Sequence, residues 1–153
     1  MRNDTRNEKV RYRIADDVKA VITSFNQGSM ILEAVQSLYS QTMLPSEIII
    51  VDDGSSDRES IRVLKGIESD AAGPVPVTVL WQENSGVSAA RNSGIRRAEA
   101  PLVLVLDGDD RLEPSFMEEV SRMLRNHSDM AAASSWMHTF GVMDAVIDRK
   151  SVV

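Results

Sequence analysis

Residues 47–57 read Glu-Ile-Ile-Ile-Val-Asp-Asp-Gly-Ser-Ser-Asp. Ile48 to Val51 is wholly β-branched and does not alternate with polar residues. A strand of that kind is covered on both faces, which is the signature of a parallel sheet between helices. The apolar character stops abruptly at Asp52, and six polar or glycine residues follow. Working outward, the same arrangement recurs. Val18–Ile22 runs into Thr23-Ser24-Phe25-Asn26, Val77–Trp81 leads to Glu83-Asn84-Ser85-Gly86, and Leu102–Leu106 ends in Asp107-Gly108-Asp109-Asp110.

Helical patterns fill the intervals. Ile31, Ala34, Val35 and Leu38 form a one-sided stripe. Ser56 and Glu59 have capping-box spacing ahead of Ile61, Leu64 and Ile67, and Gly73, Pro74 and Pro76 end that helix. Val87, Ala90, Gly94 and Ala98 give a small-residue face able to lie close to a sheet. Phe116, Val120, Met123 and Leu124 mark a helix after Pro114, and Met130–Trp136 reads as a fifth strand. Repeated strand–helix alternation predicts an α/β fold: an open, mainly parallel, doubly wound sheet with helices on both faces. One domain is expected over residues 17–153, preceded by a charged, apolar-poor tail over residues 1–16 that is expected to be disordered.

Composition narrows the function. The 153 residues carry 23 acidic against 17 basic side chains, a net charge of -6, which argues against a nucleic-acid partner. No cysteine is present, so disulfides, zinc ribbons, thiol nucleophiles and iron–sulfur clusters are excluded. The N-terminal stretch lacks the apolar segment of a signal peptide, and no apolar run is long enough to span a bilayer. A cytoplasmic location is expected, with membrane association only through regions outside this chain.

The polar clusters all follow strands at their C-terminal ends. In an open parallel sheet those ends share one edge, where ligands bind. Asp, Asn, Gly and Ser are ordinary turn residues, yet four such clusters on a single edge point to a site. Asp52, Asp53, Asp107, Asp109 and Asp110 would repel one another there unless donors or a cation hold them. A divalent cation such as Mg²⁺, sharing carboxylates with substrate phosphate, is the expected partner.

These motifs, taken in order, resemble the inverting GT-A-fold glycosyltransferases of family 2. The matching segments are Ile22–Asn26, Ser37–Thr42, Glu47–Asp57, Asn84–Gly86 with Ala90–Ile95, and Leu106–Pro114, spread over about residues 18–138. The resemblance implies a nucleotide-sugar donor, a UDP-sugar, and transfer to an acceptor hydroxyl on a saccharide, lipid or protein. It implies that Thr23, Phe25, Asn26, Gly86 and Arg91 bind the nucleotide, with Asp53 accepting from the uracil ring N–H and Asp52 structural. Asp107 and Asp109 would form the family's Asp-x-Asp, Asp109 holding Mn²⁺ or Mg²⁺ and Asp107 near the ribose, with Asp110 supporting the loop. Inversion also requires a carboxylate base. The family's base is expected beyond Val153, because Asp144 and Asp148, the only acidic residues after Asp129, lack its context. The chain is therefore expected to bind the donor's nucleotide without efficient transfer, and to self-associate into homo-oligomers through apolar surface left uncovered.

Other readings have less support. A binding module without transfer activity is the main alternative, and a receiver-type signalling domain a remote one, because receivers place their acidic pair after the first strand. No Gly-x-Ser-x-Gly, P-loop or Gly-x-Gly-x-x-Gly occurs, against hydrolases, NTPases and dinucleotide sites. His127 and His138 are isolated, with a metal-rim role conceivable only for His138. Met117 and Met123 read as helix packing, and Trp81 and Trp136 as core.

Overall fold

The computed structural model describes residues 12–70, 72–135, 137–139 and 145–147. Trp136, Asp144, Asp148 and residues 1–11 lie outside the described residues. The elements in order are β1 (Ile14–Ser24), α1 (Met30–Tyr39), β2 (Leu44–Asp52), α2 (Arg58–Ser69), β3 (Val77–Trp81), α3 (Val87–Ala98) and β4 (Leu102–Asp107). Next come α4 (Phe116–Asn126), β5 (Met137–Thr139) and β6 (Ala145–Ile147).

Strands β1 to β4 form a parallel sheet in the order β3-β2-β1-β4. The chain starts in the interior of the sheet at β1 and steps outward through β2 to β3. It then crosses back to place β4 on the far side of β1. Because such crossovers are right-handed, outward steps leave helices on one face and the return step leaves its helix on the other. The packing obeys this. Ile31, Ala34 and Leu38 of α1 share one buried cluster with Val63, Leu64 and Ile67 of α2, with Met117 of α4, and with Ala20, Ile22, Ile48 and Ile50 of the sheet. On the opposite face Val21, Ile49 and Val51 pack with Ala90 and Ala98 of α3. The alternation of Ile48 to Val51 between the two clusters is why no polar residue interrupts that part of β2.

The small-residue face of α3 has a steric reason. Gly94 lies so close to the sheet that a Cβ there would collide with Val21 Cγ1 and stand 3.1 Å from Val51 Cγ2.

Several expectations are corrected. β1 begins at Ile14, inside the stretch read as tail. The cap of α2 is Asp57, whose carboxylate accepts from Ser60 N at 2.8 Å, and not Ser56. Trp81 ends an outer strand and is 43% exposed, and Met123 is 46% exposed while Met117 is buried. Residues 130–135 form no strand; β5 begins at Met137 and pairs antiparallel with β6, outside the parallel sheet.

Candidate functional site

The four parallel strands end almost level. Thr23 is paired with Val51 and Asp107, Ser24 with Asp52, and Asp52 with Trp81. The polar residues that follow are thus delivered to one edge. The direction of winding reverses between β1 and β4, and there the loops diverge and leave a crevice. A cleft of about 430 Å³ occupies that point. Thr23, Ser24, Phe25 and Gln27 line it from the β1 side, and Asp107 and Asp109 from β4. Asp53, Asn84, Gly86, Val87 and Ala90 close it from β2 and the start of α3.

The carboxylates expected to repel one another are mostly held by donors of the protein itself. Asp52, almost fully buried, turns back on its own loop and accepts from Ser55 N at 2.9 Å and from Ser55 Oγ. Asp53, also buried, accepts at Oδ1 from Gln82 Nε2 at 2.7 Å and Ser85 N at 2.9 Å, and at Oδ2 from Gly86 N at 2.8 Å. Burial pushes the Asp53 carboxyl up, but the Ser85 amide, the Gln82 side chain and the Gly86 amide outweigh it and leave it below the ordinary value. Gly86 caps α3 with φ +88° and ψ 157°, a backbone conformation open almost only to glycine. That turn aims the amides of Ser85 and Gly86 at Asp53, so the first anion met by the positive end of α3 is the protein's own carboxylate.

Asp107 is gripped from two sides. Thr23 Oγ1 donates to its Oδ1 at 3.0 Å, and Arg91 Nη2 straddles both oxygens at 2.7 and 2.8 Å. Arg91 Nε is buried and has no acceptor among the described residues. Asp109, by contrast, is exposed and among the described residues accepts only a long bond, from Gln27 Nε2 at 3.3 Å.

Asn26 is placed differently from its neighbours. It adopts φ +51°, and its Oδ1 accepts from Ser56 N at 2.8 Å and Asp57 N at 3.2 Å. It braces the loop after β2 and does not line the cleft. Arg91 reaches the site through Asp107 and borders a larger open hollow of about 1170 Å³ on the other side of β4, where His138 also lies. From sequence Ser24 was named only within its polar cluster and Val87 and Ala90 only as a packing face, and Gln27 and Gln82 were not singled out at all. Gln27 and Gln82 each sit one residue outside a polar cluster, which is the only local signal they carry.

Among the described residues, no group of three or more His, Asp or Glu side chains stands ready to hold a metal. Oxygen donors at the rim do suit a hard divalent ion. Asp109 has acceptor capacity to spare and Asp107 has little, so a cation here would be held chiefly by Asp109 and would need further ligands from a substrate and water.

The fold has solved counterparts. S. aureus TarS 1–349 in complex with UDP-GlcNAc superposes with a TM-score of 0.61 at 22% identity, over 73% of this chain and 32% of that one. The mannosyltransferase PcManGT from Pyrobaculum calidifontis, in complex with GDP-Man and Mn²⁺, gives 0.51 at 23% identity, over 67% of this chain and 32% of that one. At those identities the likeness speaks to fold. In sequence, EpsH of Bacillus subtilis (strain 168), provisionally named a glycosyltransferase, is 32% identical over 133 residues, 85% of this chain but 38% of EpsH. The chain thus spans well under half the length of that relative. The family model described as glycosyl transferase family 2 matches residues 19–147, and with a match of that extent the chain belongs to glycosyl transferase family 2.

Proposed function

We propose that the cleft between β1 and β4 binds a UDP-sugar with a divalent cation, and that the protein transfers the sugar with inversion to an acceptor hydroxyl. The observation that carries this reading is the meeting of Thr23, Asp53, Gly86, Asp107 and Asp109 around one cleft at the reversal point of the sheet. Asp53 is buried against the cleft and held in its acceptor form, so it suits the ring N–H of uracil. Phe25, 46% exposed at the mouth, offers an aromatic face on which the base can stack. Asp107 keeps one acceptor position on Oδ2 for a ribose hydroxyl once Thr23 and Arg91 are counted. The Arg91 guanidinium, held against Asp107, supplies positive potential beside the diphosphate.

The reaction breaks the bond between the anomeric carbon and a phosphate oxygen, so negative charge develops on the leaving group. A bound Mn²⁺ or Mg²⁺ would act as a Lewis acid toward that charge. Asp109 would hold it, while Gln27 steadies that carboxylate. The acceptor hydroxyl must lose its proton to a base, and Asp144 and Asp148 lie outside the described residues.

Calorimetric titration of UDP with and without Mn²⁺ tests the reading. UDP should bind, and more tightly with the metal. Asp109→Ala should abolish the enhancement while sparing metal-free affinity. Equal affinity in both conditions removes the metal from the reading, and no binding of UDP overturns it.

A further inference from the structure

Gln82 lies just past β3 and does not line the cleft, yet it touches the residue assigned to reading the base. Its Nε2 donates to Asp53 Oδ1 at 2.7 Å, and Ser85 N donates to the same oxygen at 2.9 Å. Gly86 N donates to Oδ2 at 2.8 Å. An ionised carboxylate has about four acceptor positions, two on each oxygen. Among the described residues Oδ1 is full and Oδ2 retains one. Asp53 borders the cleft, so that last position is the one a ligand can use.

Nucleobases ask different things of such a group. Uracil presents a single ring N–H between two carbonyls, and one acceptor position satisfies it. Guanine presents its ring N–H beside an exocyclic amine, two parallel donors that a carboxylate meets with both oxygens. With Oδ1 occupied, one of guanine's donors would enter a buried site without a partner, and sites built around hydrogen bonds reject such ligands strongly.

We propose that Gln82 is a positioning residue that fills the second acceptor position of Asp53 Oδ1, restricts Asp53 to single-donor bases, and thereby selects uridine over guanosine diphosphates. This rests on the nucleotide reading of the cleft. It also gives a role to a side chain that meets no ligand. The backbone of Gln82 is tied separately, its N–H donating to Asp52 O at 3.0 Å, so exchanging the side chain leaves the end of β3 anchored.

The test is calorimetry of UDP and GDP at one fixed Mn²⁺ concentration, on the parent chain, Gln82→Met and Gln82→Leu. Met keeps the length without a donor, and Leu removes the donor with a shorter side chain. The parent should prefer UDP by about tenfold or more, as for one hydrogen-bonded discrimination. Both variants should narrow the UDP-to-GDP ratio by roughly fivefold or more, because an acceptor position on Oδ1 opens. Thermal melting identifies which variant is folded, and one folded variant suffices. A folded variant with an unchanged ratio, or a parent that prefers GDP, overturns the role of Gln82. A parent that binds neither nucleotide overturns the nucleotide reading itself, which is a different result.

Discussion

Asp53 and Asp109 carry the same functional group into the same cleft with opposite surroundings. Asp53 is buried and serves three donors, whereas Asp109 is exposed and takes one long bond. Substitutions should therefore separate stability from binding. Asp53→Ala strands Gln82 Nε2 and the amides of Ser85 and Gly86, so it should cost about 1–3 kcal/mol in urea unfolding and weaken UDP with or without metal. Asp109→Ala should leave the unfolding midpoint nearly unchanged, as for other exposed positions. An Asp53→Ala chain as stable as the parent would show that the amides find other partners, and the anchoring role would fall.

Among elements, α3 links packing to the site. Its middle presses Gly94 against Val21, and its start presents Gly86 and Val87 to the cleft. Gly94→Ala should destabilise by about 1–3 kcal/mol through overpacking. It should also lower UDP affinity, since moving α3 off the sheet moves the Gly86 amide off Asp53. Unchanged melting and binding together would contradict this. The element pattern was largely legible from sequence because both faces of the sheet are covered, so Ile48–Val51 and Leu102–Leu106 read as unbroken apolar runs. What escaped depended on distant partners. Ser56 has cap spacing, but Asn26 of the β1 loop engages the Ser56 amide and Asp57 takes the cap. The stripe of Val120, Met123 and Leu124 suggested one face of α4, whereas its buried residues are Met117 and Ser121. Trp81 belongs to an outer strand, and strand order is not written in local periodicity. In the site, the strand-end clusters revealed the edge; the contacts of Gln27 and Gln82 required the third dimension.

At the scale of the whole molecule, several carboxylates titrate below their ordinary values. Asp17 is lowered mainly by its hydrogen bond with Arg125, and Glu118 by its hydrogen bond with Arg13. Burial pushes Glu47 and Asp53 up, but Lys19 and Thr78 around Glu47, and the donors around Asp53, prevail. A depressed folded pKa means that the unfolded chain takes up the proton first. The stabilisation is complete above the unfolded carboxylate range of about pH 4 and is lost as pH falls through the lower folded values. Urea midpoints should hold steady from neutral pH to about 5 and then drop steeply below about 4. A midpoint that rose on acidification would refute the assignment.

Thr23 and Asp107 stand 84 positions apart in sequence, yet they are adjacent partners across β1 and β4. During synthesis, at about 5–20 residues per second, β1 emerges roughly 4–17 s before the strand that completes its second edge. For that interval Ala20, Val21 and Ile22 carry an open backbone edge available to any passing strand. A ribosome-bound chaperone, or slow translation just before Leu102, would act on this window and on no later one. The interior strand of the sheet is made first and finished last.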